Sequence, residues 1–138
     1  MAKTYAAQVK DFNAKARRNM SSIMKTSIQE VMNDAQTPVA KGGNMPVDVG
    51  NLRNSLASGL NGSIGAPGPD SYTLTIAQMD LGDAAKFSWT AEYARRRHYG
   101  FKGVDSLGRT FDETGTLWRD KAAQKWQSTV AMVAKRFS

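Results

Sequence analysis

The densest chemistry in the chain is the stretch "EYARRRHYGF", residues 92–101, which gathers three guanidinium groups, two phenols, a carboxylate and the single histidine. Arg95, Arg96 and Arg97 suit bidentate contact with phosphates or carboxylates, and the flanking Tyr93 and Tyr99 could stack on bases, so a nucleic-acid contact is chemically reasonable. Three consecutive arginines cannot all face one groove, however. A patch that meets the carboxylates of an adjacent subunit fits the spacing better. His98, with Glu92 or Tyr93 beside it, is the natural acid–base candidate. No Ser-His-Asp spacing, glycine-rich phosphate cradle or nucleophile elbow accompanies it, so His98 reads as a boundary or interface residue and no catalytic residue is expected. Asp80, Asp83, Asp105, Asp112 and Glu113 lack the spacing of a calcium loop, and one histidine without any cysteine builds no zinc site. Neither metal nor cofactor is expected.

These residues need a scaffold, and 138 residues suit a single domain with a modest core. The net charge of +7 makes nucleic acid, an anionic surface or an acidic protein partner worth weighing, but the charge is dispersed. Residues 1–36 hold six basic and three acidic groups, and residues 101–138 hold seven and four. No apolar run of membrane length and no secretory signal is visible, so no membrane is expected and the chain is expected to stay in a cytoplasm.

The element order predicts an α+β fold: a long N-terminal helix, an antiparallel sheet of three to four strands, and a long C-terminal helix packed on one face. Residues 1–36 form the first helix, because Val9, Phe12, Ala16, Met20, Ile23, Ile28, Val31 and Ala35 recur at steps of three to five. Its apolar stripe exceeds what a small domain can cover, so part of it should pack on a neighbouring subunit. Thr37-Pro38 ends it. Residues 37–50 are a loop, and residues 51–99 a short helical turn followed by the sheet. Asp48 can cap that turn, with Leu52 and Leu56 pointing inward and Arg53 outward. "SLASGLNGSI" is a candidate first strand, "GAPGPD" a hairpin tip, "SYTLTIAQM" (71–79) the strand with the clearest alternation, and "KFSWTAEYA" a third strand. Residues 100–116 read as an exposed loop or hairpin. Residues 117–138 form a second long amphipathic helix, with Trp118 and Trp126 as core or subunit-contact anchors.

Pro46, Val47, Asp48, Gly50, Leu52, Arg53 and Ser55 follow the segment Pro-Val-Asp-Thr-Gly-x-Leu-Arg-x-Ser, with Val49 standing where threonine is usual. Tyr93, Ala94, Tyr99 and Gly100 follow a Tyr-Ala-x(n)-Tyr-Gly stretch. Together with the order of elements, these residues resemble the small head-tail joining proteins of long-tailed bacteriophages over nearly the whole chain. The resemblance implies a structural virion protein of the connector, assembled in the host bacterial cytoplasm and resident at the head–tail junction. It would form a six-fold ring that terminates the tail tube and joins it to the head-closure complex. Its partners would be further copies of itself, the head-closure or stopper protein and the tail tube protein, with contact to DNA in the channel left open. A neck or minor capsid protein just below the head-closure ring is the alternative station, and a basic DNA-binding module a more remote one. Under this resemblance Asp48, Arg53, Glu92, Arg95, Arg96 and Arg97 are expected to fix register between subunits.

Overall fold

The computed structural model describes residues 4–46, 51–91, 94–104, 107–108 and 110–137. Helix α1 spans Tyr5–Ala35, and the Thr4 hydroxyl accepts the Ala7 amide at 3.1 Å to start it. At 1.5 Å per residue it is about 46 Å long. Its buried residues, Ser27, Met32 and Ala35, all lie in the C-terminal part. From Thr4 to Arg18 every side chain is exposed except Ala7 and Ala16, which are half-buried, so the first turns stand clear of the body. The helix stops where Thr37-Pro38 was expected to stop it, and a single 3₁₀ turn, Val39–Lys41, follows.

A helical turn α2, Asn51–Asn54, leads into strand β1, Leu56–Leu60. Leu52 and Leu56 are buried as the spacing predicts. β1 pairs antiparallel with β2, Ser63–Ile64, and with β3, Ala85–Trp89, giving the order β2-β1-β3. "SLASGLNGSI" is therefore a strand and a hairpin rather than one strand. The turn is Asn61-Gly62, with φ of 53° and 88°, the pair of positive values that an Asn-Gly hairpin needs. Asn61 also closes the sheet's end, accepting the Ala84 amide and donating to Asp83 Oδ1, both at 3.0 Å.

The largest correction concerns residues 71–79, which form helix α3, Ser71–Gln78, and not a strand. The alternation of Tyr72, Leu74 and Ile76 misled, because Tyr72, Thr75, Ile76 and Met79 are the buried set while Leu74 is 65% exposed. That set has helical spacing. Both edges of β1 are already taken by β2 and β3, so the segment covers the strand's face instead. "GAPGPD" correspondingly is no hairpin tip but a connection lying along β1, tied by amide bonds from Gly65 to the Ser58 carbonyl and from Gly68 to that of Leu56. Ser71 donates to the Leu56 carbonyl at 2.7 Å, and Tyr72 to Asn33 Oδ1 at 2.7 Å. Burial, and then the nearby Asp70 carboxylate, hold the Tyr72 phenol above its ordinary pKa, so it stays the donor.

After β3 come helix α4, Ala94–Tyr99, and a two-stranded hairpin of β4, Gly100–Val104, with β5, Thr110–Thr114. The hairpin was one of the two forms expected for residues 100–116. The single C-terminal helix divides into α5, Trp118–Ala123, and α6, Trp126–Arg136. The break at Gln124 and Lys125 lets α5 turn Trp118 and Ala122 into the core while α6 lays Val133 across α1. Lys125 holds Asp34 at 3.2 Å, and Arg136 bonds to Glu30 near the other end of α6.

Two apolar clusters result. Met32, Leu56, Tyr72 and Ile76 fill the space between α1, α3 and the sheet. Ala35, Met45, Leu52, Ala94, Trp118 and Ala122 fill that between α1, α4 and α5. Trp89 packs against both, edge-on to Trp118 at 5.7 Å.

Candidate interaction surface

Helix α4 turns the run Arg95-Arg96-Arg97-His98 into four directions, since successive side chains are about 100° apart. Ala94 and His98, four residues apart, face the core; Arg95 is exposed, and Arg96 and Arg97 are half-buried. His98 is 3% exposed, which corrects its expected place at a boundary. Its ring stands edge-on to Tyr99 at 4.5 Å and to Trp118 at 4.9 Å. Nε2 accepts the Asp120 backbone amide at 3.2 Å, and Asp120 Oδ1 lies 3.6 Å from the same nitrogen. With its Nε2 lone pair taken by the Asp120 amide, His98 braces α4 against α5.

The consequence is acid sensitivity. Burial pushes the His98 pKa below 6.5 although the Asp120 carboxylate pulls it up. The unfolded chain thus binds a proton that the native state refuses, and stability is complete above the unfolded value of 6.5 and falls as pH drops below it. The slope is at most about 1.4 kcal/mol per pH unit for one proton. Asp83, held below 3.8 by the Asp80 amide and then by Asn61, loses its contribution only in stronger acid, so the two windows separate. Thermal melts between pH 7 and 5 should fall for the native chain and flatten in His98→Phe; identical profiles would refute the assignment.

Beside His98 an open groove of about 380 Å³ is lined by Phe87, Trp89, Arg95, Tyr99, Trp118 and Arg119. Arg119 donates to the Tyr99 hydroxyl at 2.6 Å and to Asp120 at 3.2 Å, with its guanidinium 5.8 Å from the Tyr99 ring centre. Two cations and aromatic walls suit a carboxylate or phosphate. Arg119 carries no signal in the sequence, since it lies far from the arginine run within a polar stretch of a helical pattern.

The remaining expected interface residues scatter. Arg53 is half-buried rather than outward: its Nε donates to the Gln36 carbonyl at 3.0 Å, within its own chain. Gln36, which the sequence did not single out, is 2% exposed. Its amide nitrogen donates to the carbonyls of Arg53 and Pro69 at 3.0 and 2.9 Å, and its oxygen accepts the Trp89 indole at 2.9 Å. Its place at a helix end directly before Thr37-Pro38 was the available signal. Trp118 is 2% exposed and belongs to the core, which removes it as a subunit contact, whereas Trp126 is 39% exposed. Asp48 and Glu92 lie outside the described residues.

No family model, curated protein sequence or solved structure matches this chain. Its surface must therefore be argued from geometry. Among the described residues no group of three acidic or histidine side chains could hold a metal ion, and no helix is long and apolar enough to cross a membrane. What stands out instead is apolar exposure along one side of the free part of α1: Tyr5 82%, Val9 40%, Phe12 71% and Met20 58%.

Proposed function

We propose that the protein is a structural component of the head–tail connector of a long-tailed phage, a ring-forming subunit that terminates the tail tube and joins it to the head-closure complex. The observation that carries this reading is the projecting half of α1, whose apolar side is left uncovered by the chain's own core. Exposure on that scale marks an interaction surface. The described part of the motif segment supports it too, since Arg53 and Gln36 tie the turn α2 to the end of the long helix. The groove beside Arg95 and Arg119 would then meet acidic groups of an adjoining ring.

The decisive measurement is the mass of the assembled species together with its position in virion images. A six-fold ring at the head–tail junction is expected; a monomer bound along free DNA, with affinity falling steeply with salt, would overturn the proposal. Arg95→Glu is the cleanest surface variant, because Arg95 is exposed. It should lower the yield of joined, infectious particles by more than about tenfold through like-charge contact while leaving the melting temperature unchanged. Normal yields would remove the groove from the joining interface.

A further inference from the structure

The uncovered side of α1 lacks a partner, and the same chain carries a surface of matching chemistry. Between the β1–β2 hairpin and α3 runs a groove of about 640 Å³ lined by Leu60, Ile64, Pro67 and Leu74 among others. Ile64 is 47% and Leu74 65% exposed. Carboxylates stand at both ends of α3, the helix that forms one wall of the groove. Asp70 directly precedes α3; Asp80 and Asp83 follow it, and Asp83 is tied to the Asn61 turn. Lys86 pairs with Gly59 and so points to the sheet face opposite the one that carries Ser58 and Phe87. The nearest cation on α1, Lys25, reaches the Ala77 carbonyl at 3.5 Å on the α1 side of α3.

The free part of α1 is the complement. Tyr5, Val9, Phe12, Ala16 and Met20 follow one another at steps of four, three, four and four on one side, flanked by Lys10, Lys15, Arg17 and Arg18 against the single acid Asp11. Two such arms would repel each other, which disfavours arm-to-arm pairing. Nor can an arm reach the groove of its own chain. α3 runs antiparallel along α1, from Tyr72 at Asn33 to Ala77 near Lys25, and the helix continues past it without a break.

We propose that the N-terminal arm of α1, residues 5–20, docks in the β2–α3 groove of a second copy of this chain, apolar stripe inward and lysines and arginines against Asp70, Asp80 and Asp83. Such a contact joins different surfaces on the two partners, the head-to-tail kind that generates a ring when the rotation closes. It rests on the ring-forming reading and names the surface that would make it.

The absence of cysteine makes the test clean. Asn13→Cys, beside the apolar stripe, and Gln78→Cys, on the groove wall, are both exposed in the subunit and leave Phe12 and Leu74 in place; they are prepared separately with distinguishable mass tags, mixed at high concentration and oxidised. A disulfide joining one chain of each kind is expected. Cross-links only between chains of one kind, or none at all, overturn the docking proposal whatever the oligomeric state. Phe12→Asp should in addition weaken self-association by roughly 30-fold, as the loss of an aromatic anchor does. Its melting temperature should stay put, and undiminished association would likewise count against the arm. The two levels separate: a closed ring without the mixed cross-link keeps the connector reading and discards the docking mode, while the cross-link in an open chain or dimer does the reverse.

Discussion

Trp118→Ala should destabilise the protein by about 4 kcal/mol, whereas Trp126→Ala should cost less than about 1 kcal/mol. The two tryptophans sit eight residues apart on what the sequence presents as one amphipathic helix, with equal standing as anchors. The helix break separates their fates. Trp118 is 2% exposed, meets Trp89 and His98 edge-on, and shares its cluster with Ala35, Met45 and Leu52, so truncation leaves a cavity that several elements would have to collapse to fill. Trp126 is 39% exposed and loses little on truncation. Urea denaturation followed by circular dichroism would measure both. Equal midpoints for the two variants would contradict the division of the C-terminal helix. In the proposed assembly the order reverses for association, where only Trp126 remains available to a neighbour.

Gln36→Leu should cost about 3 kcal/mol although leucine is apolar and of similar size. The amide makes three side-chain bonds in a site 2% exposed, and its backbone carbonyl takes a fourth from Arg53. Leucine would leave the Trp89 indole donor and the carbonyls of Arg53 and Pro69 without these partners in a part-buried junction, and each such group carries a penalty of about 1–3 kcal/mol when water does not reach it. Gln36→Glu should be no better, because a carboxylate would face the two carbonyls that the amide now serves. The midpoint of chemical unfolding gives the size of the effect, and the indole N–H resonance of Trp89 reports the lost bond. A loss below about 1 kcal/mol would mean that water restores these bonds and that the junction is not dry.

The fold class, α1 and the helical character of the C-terminal segment were legible because both segments are long enough for helical spacing to repeat several times, but the break at Gln124 and Lys125 leaves no mark on that spacing. Over nine residues the same logic failed at "SYTLTIAQM", where Tyr72 and Ile76 satisfy both periods and only the position of Leu74 decides. The prior pairing of β1 on both edges, a long-range fact, settled it. The Asn61-Gly62 turn was a local signal that went unused. Of the candidate surface, the arginine run was visible by its density, but the orientation of Arg53, the depth of His98 and the pairing of Arg119 with Tyr99 depend on contacts across 17 to 22 residues. Spacing within one element carries no record of them.

The bonds at Gln36, together with the packing of α1 on α3, α5 and α6, also set an angle. A rigid rod about 46 Å long whose base tilts by about 10° moves its tip by about 8 Å, more than the separation of two packed side chains. In the proposed ring, identical subunits that meet around a closed circle could not absorb such an error, since it repeats at every joint. In that ring Gln36 and Arg53, which bond to each other within the chain, would therefore help to aim the arm, and a variant that loosens them while still folding should assemble into open or mis-sized circles.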